Sequence, residues 1–117
     1  MKITKKKIED VAEELGWSVD WQTQEHPNGK TEKIVEFSQE SPAGEDFSFC
    51  VFYDALPDIA KELYTWWQNF DIEEHVKMWL EAKSNGGGGV PDIGTLVEDA
   101  KAIDDMCAKL WLAVEDI

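Results

Sequence analysis

Between Trp17 and Tyr53 apolar and polar residues alternate in three runs, and side chains with that period share one face only if the backbone is extended. Trp17, Val19, Trp21 and Thr23 alternate with Ser18, Asp20 and Gln22. In the run Thr31 to Ser38, Val35 and Phe37 fall on one side, Ile34 and Glu36 on the other. In the run Phe47 to Tyr53, Phe47, Phe49, Val51 and Tyr53 oppose Ser48, Cys50 and Phe52. Three half-buried strands follow, and their connections are short enough to make them antiparallel neighbours.

The segment His26-Pro27-Asn28-Gly29-Lys30 sets the register of the first pair. A two-residue Asn28-Gly29 turn places Trp21 opposite Glu36. A three-residue Pro27-Asn28-Gly29 loop places Trp21 opposite Val35 and Val19 opposite Phe37. Proline suits the first turn position and glycine the left-handed one, so turn chemistry and burial agree on the longer loop. Ser41-Pro42-Ala43-Gly44 separates the second strand from the third.

Four helical segments flank these strands. Thr4 reads as an N-cap, with Ile3 and Ile8 as a hydrophobic staple. Ile8, Val11, Ala12 and Leu15 share a face that Gly16 terminates. Lys5, Lys6 and Lys7 stand in that helix's first turn, where the dipole disfavours cations; they read as a solvated start that moderates repulsion in an acidic chain, with a docking patch for an acidic partner as the alternative. After Pro57, the residues Ile59, Leu63, Trp66, Trp67 and Phe70 recur at helical spacing. Asp71 caps the next helix, whose stripe is Ile72, Val76, Trp79 and Leu80, and Asn85-Gly86 ends it. Gly86 to Gly89 form a joint, and Pro91-Asp92 restart the chain. Ile93, Leu96, Val97, Ala100, Ile103, Cys107, Leu110, Trp111 and Val114 then hold a three-four spacing, which makes a helix of roughly 30 Å. The expectation is one α+β domain over residues 1–117, ordered α-β-β-β-α-α-α, with one face of a three-stranded antiparallel meander packed on helices.

The second sheet face collects Ser18, Asp20, Gln22, Ile34, Glu36, Ser38, Cys50 and Phe52. If water covers it, Ile34, Glu36, Cys50 and Phe52 are the candidate partner-binding residues, because an apolar patch in a polar surround marks an interface. If a helix covers it, there is no site there. Sequence leaves both arrangements open.

Twenty-five acids against eleven bases leave a formal net charge of −14. That disfavours direct binding to nucleic acid or to an anionic membrane and attracts basic proteins. Six Trp, five Phe and two Tyr supply enough aromatic area for a folded core. The start MKITKKKIEDVAEELG lacks the apolar run of a signal peptide, and no stretch is long and apolar enough for a membrane helix. Cys50 and Cys107 are read as buried, reduced thiols in a cytoplasmic protein.

No constellation specifies catalysis or a cofactor. Asp71, Glu74 and His75 crowd one helical turn, but Ile72 stands where a Glu-x-x-His motif needs its carboxylate, so no metal is expected and the group reads as a solvated helix start. Glu98-Asp99 and Asp104-Asp105 are paired acids that could perform acid-base work, yet they read as a solvated helix face. Neither cysteine has a histidine near it in sequence, and GGGGVP lacks the ending of a phosphate-binding loop. Trp66, Trp67 and Trp79 are assigned to the core.

The pattern FD-x-x-EH-V-x-x-W-x-EAK, then GVP-x-I, then LVEDA-x-x-ID-x-M, with SPAGEDFSF upstream, resembles a family of small acidic proteins of Firmicutes found near mobile elements. The resemblance covers the last two thirds of the chain and departs from the family at the four glycines. It implies a bacterial protein without an established activity, transfers no catalytic residue, and through the mobile-element setting raises the nucleic-acid-mimic reading. The leading expectation is a non-enzymatic protein that binds another protein, basic or nucleic-acid-binding, through its acidic surface, with homo-oligomerisation left open. The runners-up are a nucleic-acid mimic acting on a restriction, CRISPR or transcription protein, and a small carboxylate-dependent enzyme using His75.

Overall fold

A computed structural model describes residues 2–85 and 92–117. Its elements are α1 (Lys5–Glu14), β1 (Ser18–Glu25), β2 (Thr31–Glu40), β3 (Asp46–Tyr53), α2 (Asp58–Gln68), α3 (Ile72–Asn85) and α4 (Ile93–Glu115). This is the expected α+β order around a sheet β1-β2-β3. The glycine joint and the Val-Pro stop, at 86–91, lie outside the described residues.

Helix α1 is closed at both ends by its own sequence. Thr4 Oγ1 accepts the Lys7 N–H at 3.2 Å. At the other end the Gly16 N–H donates to the Glu13 carbonyl and the Trp17 N–H to the Ala12 carbonyl, both at 2.9 Å. This paired ending needs a left-handed residue, and Gly16 supplies it at φ +93°. The turn delivers Trp17 into the core and leaves Leu15 exposed. The expected burial of Leu15 is corrected because, as the C-cap, it has already left the helical face.

The sheet adopts the three-residue-loop register, with Trp21 opposite Val35 and Val19 opposite Phe37. The Gly29 N–H donates to the His26 carbonyl at 2.9 Å, and Gly29 sits at φ +84°. Across the second pair, Val35 meets Val51 and Phe37 meets Phe49. The odd-numbered residues of all three strands therefore share one face. On it Phe37 and Phe49 stack at 5.6 Å, and Trp17 turns its ring edge-on to both.

Ile8 and Ala12 of α1, Ile59 and Leu63 of α2, and Ile103, Cys107, Leu110 and Val114 of α4 cover this face. Helix α3 packs elsewhere: Val76 and Trp79 meet Leu96 and Ala100 in a second cluster. At 23 residues, about 34 Å long, α4 serves α3 with its first half and the sheet with its second.

Two expectations for α4 are corrected. Ile93, the first residue of α4, is exposed, three residues before the buried stripe begins at Leu96. Asp99, expected on the solvated face with Glu98, is only 3% exposed. It lies three residues after Leu96 and four before Ile103, on the same inward stripe. Its Oδ2 accepts the Ser41 hydroxyl at 2.6 Å and its Oδ1 accepts the Ala43 N–H at 2.8 Å. Ser41 Oγ in turn accepts the Glu45 N–H at 3.0 Å. A buried carboxylate thus folds the β2–β3 loop onto α4, satisfying groups that would otherwise be buried without partners.

Candidate functional site

The second sheet face is open. Ser18, Asp20, Gln22, Ser48, Cys50 and Phe52 are all exposed, and the helices pack on the other side. Ile34, Glu36, Cys50 and Phe52 form one block of the β2–β3 ladder, with Ile34 opposite Phe52 and Glu36 opposite Cys50. Phe52 is 50% exposed. Ile34 is 8% exposed although no helix covers it; its cross-strand neighbours Gln22 and Phe52 shield it from both sides. The side chains of these two residues make a small apolar ridge on an otherwise polar surface.

Carboxylates surround the ridge. Asp20 stands directly opposite Glu36, and Glu40 opposite Asp46. Like charges facing each other across a ladder destabilise it. The Gln22 amide relieves the first pair by donating to Asp20 Oδ2 at 2.6 Å and, more weakly, to Glu36 Oε2 at 3.4 Å. Glu32 lies further along the same side of β2, and His26 Nε2 sits 3.1 Å from its carboxylate without a hydrogen-bonding alignment. Every residue from Ser18 to Tyr53 is described, and this face carries five acids and no lysine or arginine. Phe52 also walls a groove of about 530 Å³ with Glu32, Asp58, Lys61 and Glu62.

The other sequence candidates are dispersed. His75 is not a solvated helix start: its Nε2 lies 3.0 Å from Glu45 Oε2, and its ring packs against Phe47 and Phe70. That pair attaches the β2–β3 loop to α3 as Asp99 attaches it to α4. Asp71 does cap α3, accepting the Glu74 N–H at 3.2 Å. Among the described residues no group of three or more His, Cys, Asp and Glu is placed to hold a metal ion.

Glu98 and Asp99 diverge, Glu98 pairing outward with Lys101 at 3.5 Å while both oxygens of Asp99 are held by the loop. Asp105 pairs with Lys109 at 2.8 Å in solvent. Trp79 is buried, Trp66 stacks on Phe49 at 4.1 Å, and Trp67 stacks on Trp111 at 5.6 Å. Their helical stripe is packing.

The two thiols differ sharply. Cys107 is buried in the core as expected, but the expected burial of Cys50 is corrected: it is exposed, because it points to the sheet face that the helices leave uncovered. Burial, and secondarily the charge of Asp104, push the Cys107 thiol up to about 12. Since the thiolate is the reactive form, iodoacetamide is expected to modify Cys50 and spare Cys107 until the chain unfolds. Peptide mass spectrometry after brief alkylation reads this, and equal modification of both would mean that the core face of α4 is accessible.

Sequence reading missed the inward role of Asp99. The signal was its three-four spacing within the stripe Leu96, Ala100, Ile103. It also missed a cavity at the helix-bearing end of the sheet, lined by Lys5, Trp21, Lys33 and Tyr53, whose members are remote in sequence. Among the described residues no helix is long and apolar enough to cross a membrane. Neither protein-family models, nor curated proteins, nor solved structures provide a match to this chain.

Proposed function

We propose that this chain is a non-enzymatic accessory protein that binds another protein through the open face of its sheet. In this reading Phe52 and Ile34 form the apolar centre, Glu36 and Cys50 lie beside them, and Asp20, Glu40 and Asp46 form an acidic rim. The observation that carries it is the half-exposed Phe52 seated on Ile34 within a surface that holds opposed acid pairs and no lysine or arginine. A partner's basic residues would relieve the Asp20–Glu36 and Glu40–Asp46 repulsion, while its apolar surface would cover the aromatic ring. The preferred partner is therefore a basic protein with an apolar centre to its contact surface.

The resemblance to acidic mobile-element proteins of Firmicutes raises the nucleic-acid-mimic alternative. Two unpaired thiols fit a reducing, cytoplasmic setting. Nucleic-acid mimicry is the second reading, favoured by the row Glu32, Glu36 and Glu40 along β2. Those carboxylates recur only every four residues, about 13 Å, far sparser than backbone phosphates. Mimicry also gives Phe52 no role, so direct protein recognition ranks first.

Affinity capture from host lysate with wild-type and Phe52→Lys baits, washed at low and then high salt, tests this. Loss of a central aromatic contact costs about 2 kcal/mol at an interface hot spot. A basic partner held by wild type through the high-salt wash and depleted at least about ten-fold on Phe52→Lys is the expected result. A partner held equally by both baits would remove the open face from the interaction. A partner lost from both at high salt and displaced by DNA would favour mimicry.

A further inference from the structure

At one end of the sheet's helix-bearing side, between the start of α1 and the β3–α2 connection, lies a cavity of about 400 Å³, within the range of small-molecule sites. Trp21, Tyr53 and Leu56 give it apolar walls, and Lys5 and Lys33 bring two ammonium groups to it. In a chain of formal net charge −14 this convergence of cations runs against the surrounding field. Lys5 Nζ is held 5.0 Å from the Trp21 ring centroid, a cation–π contact. Lys33 Nζ donates to the Asp54 carbonyl at 3.1 Å.

The nearby acids are partly accounted for. Glu9 accepts the Trp21 Nε1–H at 2.6 Å, which fixes the indole. Asp54 lines the cavity as an exposed residue. Tyr53 is 9% exposed as a whole and lines the cavity, and its hydroxyl is not among the buried atoms left without a partner.

We propose that this cavity binds a small organic anion, a single carboxylate or phosphate group on a flat apolar body. The anionic head meets Lys5 and Lys33, the Tyr53 hydroxyl donates to it, and the apolar body rests among Trp21, Tyr53 and Leu56. Trp21, Lys33 and Tyr53 belong to the strand face opposite Phe52; Lys33, Tyr53 and Asp54 also border the Phe52 groove, but the ligand titration and the Phe52→Lys capture are read separately, so failure here leaves the docking-face reading standing.

The test is a titration of the nitrogen-labelled full chain followed by the Trp21 indole N–H resonance, assigned with Trp21→Phe. Naphthoate and naphthyl phosphate are the anionic probes, naphthol and naphthylmethylammonium the neutral and cationic controls. At least one anion is expected to give a saturable shift, with naphthol about ten-fold weaker and the ammonium weaker still. The preferred anion identifies the head group. Lys5→Gln and Lys33→Gln are each expected to lower affinity about ten-fold, and Tyr53→Phe about three-fold. Naphthol binding as well as the anions, wild-type affinity in both lysine variants, or no saturable shift up to about 10 mM would each overturn the proposal.

Discussion

Phe37→Ala is expected to destabilise the domain by about 4 kcal/mol, the upper range for emptying a buried aromatic site. Phe37 is fully buried at the centre of the middle strand, stacked on Phe49 and met edge-on by Trp17. Its removal leaves a cavity where the strand face meets the helices, and close-packed neighbours relax into such a space only partly. Since small domains hold only about 5–15 kcal/mol in total, part of the population should unfold under mild conditions. Phe37→Leu retains most of the volume and is expected to lose about 1.5 kcal/mol. Urea unfolding followed by tryptophan fluorescence gives both values. A loss below about 1 kcal/mol for the alanine variant would mean that the sheet's inner face is not the main core.

Asp99→Ala is the second large effect, expected at about 3 kcal/mol. The substitution strips the Ser41 hydroxyl and the Ala43 N–H of their acceptor and releases the β2–β3 loop from α4. Asp99→Asn separates hydrogen bonding from charge. Its amide oxygen can still accept one of these bonds, so the loss should fall to about 1 kcal/mol. Glu98→Ala, one residue away but exposed, should leave the unfolding midpoint in place. Equal effects at positions 98 and 99 would contradict the inward role of Asp99. A double cycle of Asp99→Ala with Ser41→Ala should show coupling of about 1 kcal/mol or more.

Most of the fold was legible because its signals are local. Gly16 and Gly29 occupy left-handed positions that turn chemistry requires, and Pro27 with Gly29 selects the loop that pairs Trp21 with Val35. The helical stripes are long enough to fix their inner faces. What escaped was long-range. An aspartate at a stripe position reads as polar until its loop partner is known, and Ser41 is 58 residues away. His75 likewise reads as solvated until Glu45, 30 residues earlier, is brought beside it.

The candidate face was legible as a pattern but not as a surface. Strand alternation places Ile34, Glu36, Cys50 and Phe52 together, whereas whether a helix lies over them depends on which side of the sheet α1, α2 and α4 choose. They choose the aromatic side, since Phe37, Phe49 and Val51 offer far more apolar area than Ile34 and Phe52.

Cys50 sits within this face, beside Phe52, and reports directly on whether a partner covers it. The decisive measurement is its alkylation rate in the captured complex compared with the free protein, with Cys107 as the internal buried reference. Docking on the open face should slow Cys50 modification at least about ten-fold while Cys107 stays unreactive in both. An unchanged Cys50 rate in a saturated complex would place the partner elsewhere on the molecule and contradict the proposed function.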